Sequence, residues 1–210
     1  MVEKKNGMMF ILSSPSGVGK TTLTKKIAKN NPNFKISISH TTRKARPNEV
    51  DGKDYYFVDD EKFNSLIKNN SFFEHAKIFN HYYGTLKQPV LNFLKKGKDV
   101  LFDIDWQGTQ QLKKEKNISL VTIFILPPNI KALKDRLLNR HEGQEEIIIK
   151  RMNKFGEEIS HWNEYNYVVI NDDLHLCYNK ILEIIASEKD GRVKKQDFEE
   201  VEKKVKELTK

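Results

Sequence analysis

Ser14-Pro15-Ser16-Gly17-Val18-Gly19-Lys20-Thr21 follows the apolar run Met8 to Leu12 and opens onto Leu23, Ile27 and Ala28 at helical spacing. A strand, a phosphate-sized loop and a helix therefore come in that order. The residues fit G-x-x-x-x-G-K-[ST] with one departure, Ser14 at the first glycine. Gly17 and Gly19 let successive backbone N–H groups converge, and the helix N-terminus adds partial positive charge facing an anion. Lys20 is expected to reach the outer phosphates, and the Thr21 hydroxyl to coordinate Mg²⁺. A non-glycine residue held at φ > 0 would cost on the order of 1–2 kcal/mol, so Ser14 is expected to be unstrained only in the β region.

The 210 residues suit one globular unit with inserted subdomains. A hydrophobic fraction of 38% and a charged fraction of 31% fit a soluble protein. No apolar stretch approaches the roughly 18–20 residues that a membrane span needs. Met1 to Gly7 lacks the apolar core of a secretory signal, and Cys177, the single cysteine, cannot form an internal disulfide. A reducing cytoplasm is the expected compartment. The net charge of +8 admits a nucleic-acid partner, but the lysines scatter along the chain, which makes that the weaker reading. Of the 37 basic residues only six are arginine, and five of these fall in two segments, Arg43 with Arg46, and Arg136 with Arg140 and Arg151. The planar fork that binds phosphate bidentately is a reason to cluster them.

Apolar period and punctuation predict strands over 8–13, 35–40, 99–104, 120–126 and 166–171, and helices over 20–30, 86–96, 107–116, 129–140, 144–160 and 173–187. The alternation predicts an α/β fold, a parallel sheet covered on both faces with ligands at the carboxyl ends of its strands. Residues 35–85 break the rhythm with short strand-like runs such as Asp54 to Val58, a turn at Asp51-Gly52, a helix around 60–69 and the cluster His81-Tyr82-Tyr83. This stretch reads as an inserted, partly antiparallel subdomain. Beyond Asp190 the chain is highly charged, with Val193, Phe198, Val201, Val205 and Leu208 as a sparse helical stripe, and a solvated or loosely docked helix is expected.

Ser39-His40-Thr41-Thr42-Arg43-Lys44-Ala45-Arg46 concentrates hydroxyls and two arginines at a strand end, suited to a second anion. Tyr55 and Tyr83 offer phenolic donors to phosphate oxygens, and Glu74, after Phe72-Phe73, is a carboxylate set against an apolar wall. Asp99 to Gly108 is a buried strand ending in Asp103 and Asp105, two residues apart and hence on one face. One carboxylate can hold Mg²⁺ or its waters, and the other can read a ligand. Arg136 and Arg140 share a helix face, His141-Glu142-Gly143 marks a break, and Arg151 follows on a second charged helix. Cations on such a flap can close over transferring phosphates.

In their order, Ser14 to Thr21, Ser39 to Arg46, Glu49 to Tyr55, Tyr82 to Thr85, Asp103 to Gly108 and Asn171-Asp172-Asp173 resemble the motifs of the guanylate kinases. The resemblance runs from about Met8 to Ser187. It implies transfer of the terminal phosphoryl group of ATP to GMP, with dGMP as a further acceptor. It also implies a P-loop NTPase core over 8–34, 96–130 and 162–188, an inserted mixed-sheet GMP-binding subdomain over 35–95, and a helical lid over 131–161. A charged C-terminal helix over 189–210 lies mostly beyond it. Carried over by position, Ser14, Pro15, Ser16, Gly17, Val18, Gly19, Lys20, Thr21 and Thr22 hold the ATP phosphates, with Asn171 near the adenine. Thr21 and Asp103 organise Mg²⁺. Arg43, Arg46, Tyr55 and Tyr83 hold the GMP phosphate, while Ser39, Glu74, Thr85 and Asp105 read the guanine. Lys20, Arg43, Arg136, Arg140 and Arg151 would act on the transferring group. A carboxylate suits guanine because N1–H and the exocyclic amine are both donors, which marks Glu74 as the specificity residue. Besides Ser14, Ala45 departs from the family in replacing a proline. Two other readings are a non-catalytic binding module of the same fold and a kinase of another nucleotide or sugar phosphate. The intact Lys20, Thr21 and lid arginines weigh against the first, and Glu74 with Asp105 against the second.

Overall fold

A computed structural model describes residues 6–140, 144–193 and 195–210. The break expected at His141 to Gly143 lies outside the described residues. Five strands form a parallel sheet in the order β2 (Phe34–Ile36), β7 (Asp99–Asp103), β1 (Met9–Ser13), β8 (Leu120–Leu126) and β9 (Tyr167–Ile170). All five residues of β1 are buried, as expected of a central strand covered on both faces. Its side chains alternate between two cores. Phe10 and Leu12 join Leu101 and Ile123 against α1 (Lys20–Asn30), α5 (Ile130–Arg140), α6 (Glu145–Ser160) and α7 (Leu174–Lys189). Met9 and Ile11 join Val100 and Phe102 against α3 (Lys87–Lys95) and α4 (Trp106–Leu112).

A second, mixed sheet has the order β4 (Tyr56–Phe57), β3 (His40–Thr41), β6 (His81–Leu86) and β5 (Phe72–Ile78), with α2 (Asp60–Lys68) between β4 and β5. The strand expected over 35–40 is therefore divided. Ser37 still donates to the Leu101 carbonyl from its amide, but in the other sheet His40 pairs with Tyr56 and Gly84, and Thr41 with Phe57 and Tyr83. Periodicity along one run cannot reveal a change of partner. Strands β5 and β6 meet at a two-residue turn in which Phe79 (φ 47°) and Asn80 (φ 66°) are both left-handed. A register shift between Phe72 and Glu74 bulges β5.

The C-terminal helix α8 (Glu199–Leu208) corrects the expectation of a loosely held tail. Val201 and Leu208 are buried in the main core, Phe198 packs edge-on against Trp162 at 5.6 Å, and Val205 joins them. Ahead of the helix, the Gln196 amide takes both the N–H and the carbonyl of Val168 on the outer strand β9, at 2.8 and 2.9 Å. Such cover spares an edge strand from pairing with another chain. Val193, the first residue of the stripe, stays exposed.

Candidate active site

The loop after β1 folds around its two left-handed glycines, Gly17 (φ 90°) and Gly19 (φ 102°). A Cβ on Gly17 would lie 2.8 Å from Leu137 of α5, and one on Gly19 2.8 Å from the Asn171 amide nitrogen. Both positions thus exclude a side chain by conformation and by space. Ser14 is not among the left-handed residues, so the missing first glycine costs no backbone strain; its hydroxyl donates to the Pro15 carbonyl at 2.8 Å. Lys20, opening α1, lies 2.8 Å from Asp103 at the end of β7 and donates to the Ile104 carbonyl at 3.0 Å. The Val18 carbonyl accepts from the Asn171 amide at 2.7 Å and from Arg136 at 3.2 Å, while Arg136 also reaches the Asn171 carbonyl at 3.1 Å.

Across the cleft, Glu49 holds both arginines of the second basic segment. Its carboxylate accepts from Arg43 at 2.9 Å and from the amide and guanidinium of Arg46 at 2.9 and 3.3 Å. Burial would raise the Glu49 carboxyl, but these donors hold it below its ordinary value. Arg43 lies over the Tyr55 ring at 5.4 Å, and Tyr55 meets Tyr83 edge-on at 6.0 Å. Burial first, then the charge of Asp103, raises the Tyr55 phenol, which therefore stays protonated as a donor.

The end of the cleft around Glu74 is drier. Glu74 is 3% exposed, its Oε1 has no hydrogen-bond partner among the described residues, and burial pushes its carboxyl up to about 7. Asp105 caps α4 by accepting from the Gly108 amide at 3.0 Å, and burial raises it as well. The Ser39 and Thr85 hydroxyls lie 3.1 Å apart.

Helix α6 brings Arg151 and Glu158, seven residues apart on one face, onto the loop. Glu158 accepts from the Ser16 amide at 3.0 Å, and Arg151 donates to the Ser16 hydroxyl. The ring of Phe79 lies beneath Arg151 and Lys154, at 5.2 and 4.7 Å. Burial, then the charges of Arg140 and Arg46, pushes the Arg151 guanidinium down to about 10, and burial with Arg140 and Arg43 lowers Arg46. Cations that destabilise one another in this way make a place prepared for a polyanion.

Every site residue expected from sequence except Thr85 lines one cleft of about 570 Å³, Thr21, Thr22 and Arg140 among them, and Phe79 and Glu158 line it too, whereas Glu49 and Lys154 do not. Thr85 stands behind Ser39 in the wall. Glu49, Phe79 and Glu158 were not singled out for a role from sequence. Glu49 follows a segment whose arginines draw the eye, and Glu158 is one of several glutamates on a charged helix. The left-handed turn that presents Phe79 has no glycine to signal it. The Thr21 hydroxyl and the Asp103 carboxylate are hard oxygen donors, which suits a Mg²⁺ ion that completes its shell with phosphate and water.

The sequence profile of the guanylate kinase family matches residues 6–188. A guanylate kinase of Rickettsia prowazekii is 54% identical over 186 residues, 89% of this chain and 94% of that protein. One from Paramagnetospirillum magneticum is 46% identical over 185 residues, 88% and 86% of the two chains. The crystal structure of a guanylate kinase from Anaplasma phagocytophilum superposes with a TM-score of 0.74 at 35% identity, covering 88% of this chain and 87% of that one.

Proposed function

This chain belongs to the guanylate kinase family and phosphorylates GMP to GDP with ATP, and we propose a division of that work among the residues of its cleft. Residues 14–22 with Lys20 bind the ATP phosphates, and Asn171 borders the adenine. Arg43, Arg46, Tyr55 and Tyr83 hold the GMP phosphate. Ser39, Glu74 and Asp105 read the guanine, with Thr85 fixing Ser39. By this division 8–34, 96–130 and 162–188 are the ATP-binding core, 35–95 the GMP-binding body, and 131–161 the lid. The observation that carries the proposal is the convergence of Arg46, Arg140 and Arg151 on one cleft, whose mutual repulsion Glu49 and Glu158 ease in part and anions between them would ease further.

No protein nucleophile is needed. A GMP phosphate oxygen attacks the γ-phosphorus as the bond to the ADP oxygen breaks in line, so the residues' task is to align two polyanions and neutralise their charge. Lys20, Arg140 and Arg151 stabilise the equatorial oxygens of the transferring group, while Arg43 fixes the attacking phosphate and Arg136 ties the lid to the loop. A Mg²⁺ ion held through Thr21 and Asp103 would supply further charge neutralisation. Glu74, as a carboxylate, accepts from the N1–H and amine of guanine, whereas adenine presents an acceptor at N1. The single buried thiol of Cys177 fits a reducing cytoplasm, and among the described residues no helix is long and apolar enough to cross a membrane. Because Glu74 and the amine sit at the base, dGMP is expected to serve as a further acceptor.

Equilibrium titration with GMP tests the assignment. Glu74→Gln and Arg43→Ala should each weaken GMP at least about tenfold while leaving ATP within about threefold. Unchanged GMP affinity in both would overturn it.

A further inference from the structure

Strand β5 is the outer strand of the mixed sheet, so the peptide groups on its free side need partners from elsewhere. At His75, next to Glu74, the partner is one side chain. The Gln111 amide accepts from the His75 N–H at 3.1 Å and donates to the His75 carbonyl at 2.8 Å. It thereby acts as a short length of neighbouring strand. Its nitrogen also reaches the Gln107 carbonyl at 3.3 Å, which holds the amide in this orientation.

The position matters because Glu74, which pairs with Thr85 on β6, stands at the irregular end of that ladder. The bulge between Phe72 and Glu74 interrupts the ladder just before the carboxylate, and bulges re-aim the side chains beside them. Gln111 and Gly108 sit three apart on one face of α4, with Asp105 three residues earlier at its cap. Gly108 passes so close that a Cβ there would lie 2.6 Å from Glu74 Oε2. One helix face therefore carries one base-reading carboxylate, backs the other, and pins the strand that bears it.

We propose that Gln111 is a positioning residue for guanine recognition, holding Glu74 in register with Asp105 across the joint between the two sheets by pairing with both peptide groups of His75. The proposal rests on Glu74 reading the base. A slack β5 would let Glu74 lose the guanine amine first, because two donors must be met by one carboxylate in a fixed orientation.

The test compares GMP with IMP, which lacks that amine, in wild type, Gln111→Met and Glu74→Gln. Gln111→Met keeps the volume and removes both hydrogen bonds. It should lower the GMP-to-IMP ratio of kcat/KM at least about fivefold, through KM for the nucleotide, with KM for ATP within about twofold of wild type. A ratio within about twofold of wild type, whatever the melting temperature, would overturn the proposal while leaving Glu74 its role. If Glu74→Gln itself leaves the ratio unchanged, the reading beneath the proposal fails instead. Should Gln111→Met not fold, amide exchange in the wild-type protein decides. The His75 N–H should be protected and slow further on adding GMP, and exchange at the rate of a free edge amide would overturn the proposal.

Discussion

The Lys20 ammonium stands 2.8 Å from the Asp103 carboxylate, so the two charges neutralise one another, the cation being the group proposed for phosphate and the carboxylate the one proposed for Mg²⁺. Lys20→Ala removes a phosphate ligand and leaves Asp103 facing the incoming polyanion. We expect kcat/KM to fall at least roughly 100-fold, about 2.7 kcal/mol of transition-state stabilisation. Steady-state rates check this, and a loss under threefold would contradict it.

Arg140 is exposed, and its charge lowers both Arg46 and Arg151. Removing it should relieve repulsion in the free enzyme yet cost catalysis. For Arg140→Gln we expect a melting temperature unchanged or raised, with kcat reduced at least about tenfold. A fall in both would mean that Arg140 supports the fold rather than the transferring phosphate.

Glu74, raised by burial and by Asp105 but eased by Thr85 and Lys20, sits at about 7. On the proposed assignment, guanine needs its ionised form. GMP affinity should therefore rise with pH as Glu74 ionises, by about tenfold between pH 6 and 8. The GMP phosphate also ionises near pH 6, a contribution shared by Glu74→Gln. Isothermal titration of both proteins separates the two, and parallel pH profiles would contradict the assignment.

Gly108 lies in a helix at ordinary backbone angles, where alanine is intrinsically better by roughly 0.5–1 kcal/mol. Its replacement would nonetheless push on Glu74. Gly108→Ala should keep its melting temperature within a few degrees and raise KM for GMP at least about tenfold. Unaltered GMP kinetics would show that Glu74 has room to spare.

Val201, 5% exposed, anchors the last helix. Placing a carboxylate there should cost about 3 kcal/mol or more, lowering the melting temperature by roughly 6–12 °C. Thermal denaturation of Val201→Asp checks this. An unchanged transition would restore the reading of a loosely docked tail.

Much of this was legible beforehand because its signals are local. The burial of β1, the loop at Gly17 and Gly19, and the two carboxylates at the end of β7 and the cap of α4 all follow from short-range pattern, and elements such as α5 and β8 begin and end within a residue or two of expectation. What escaped depends on distant partners. His40 left the run of Phe34 because Gly84 and Tyr56 were waiting in another sheet, which no period of two can announce. The stripe on α8 is too sparse to distinguish from a solvated face until Trp162 and β9 are in place. Gln111, Glu49 and Glu158 act through hydrogen bonds to partners outside their own elements, from charged or polar segments where composition carries no mark of them.

The most direct measurement is ADP release from ATP and Mg²⁺ with GMP, AMP, UMP, CMP or dGMP supplied separately, and Lys20→Ala as the blank. Turnover with GMP, weaker or comparable turnover with dGMP, none with the other three, and loss of all turnover in the blank is the expected result. Well-folded protein that releases ADP with no nucleotide, or equally with AMP and GMP, would contradict the account.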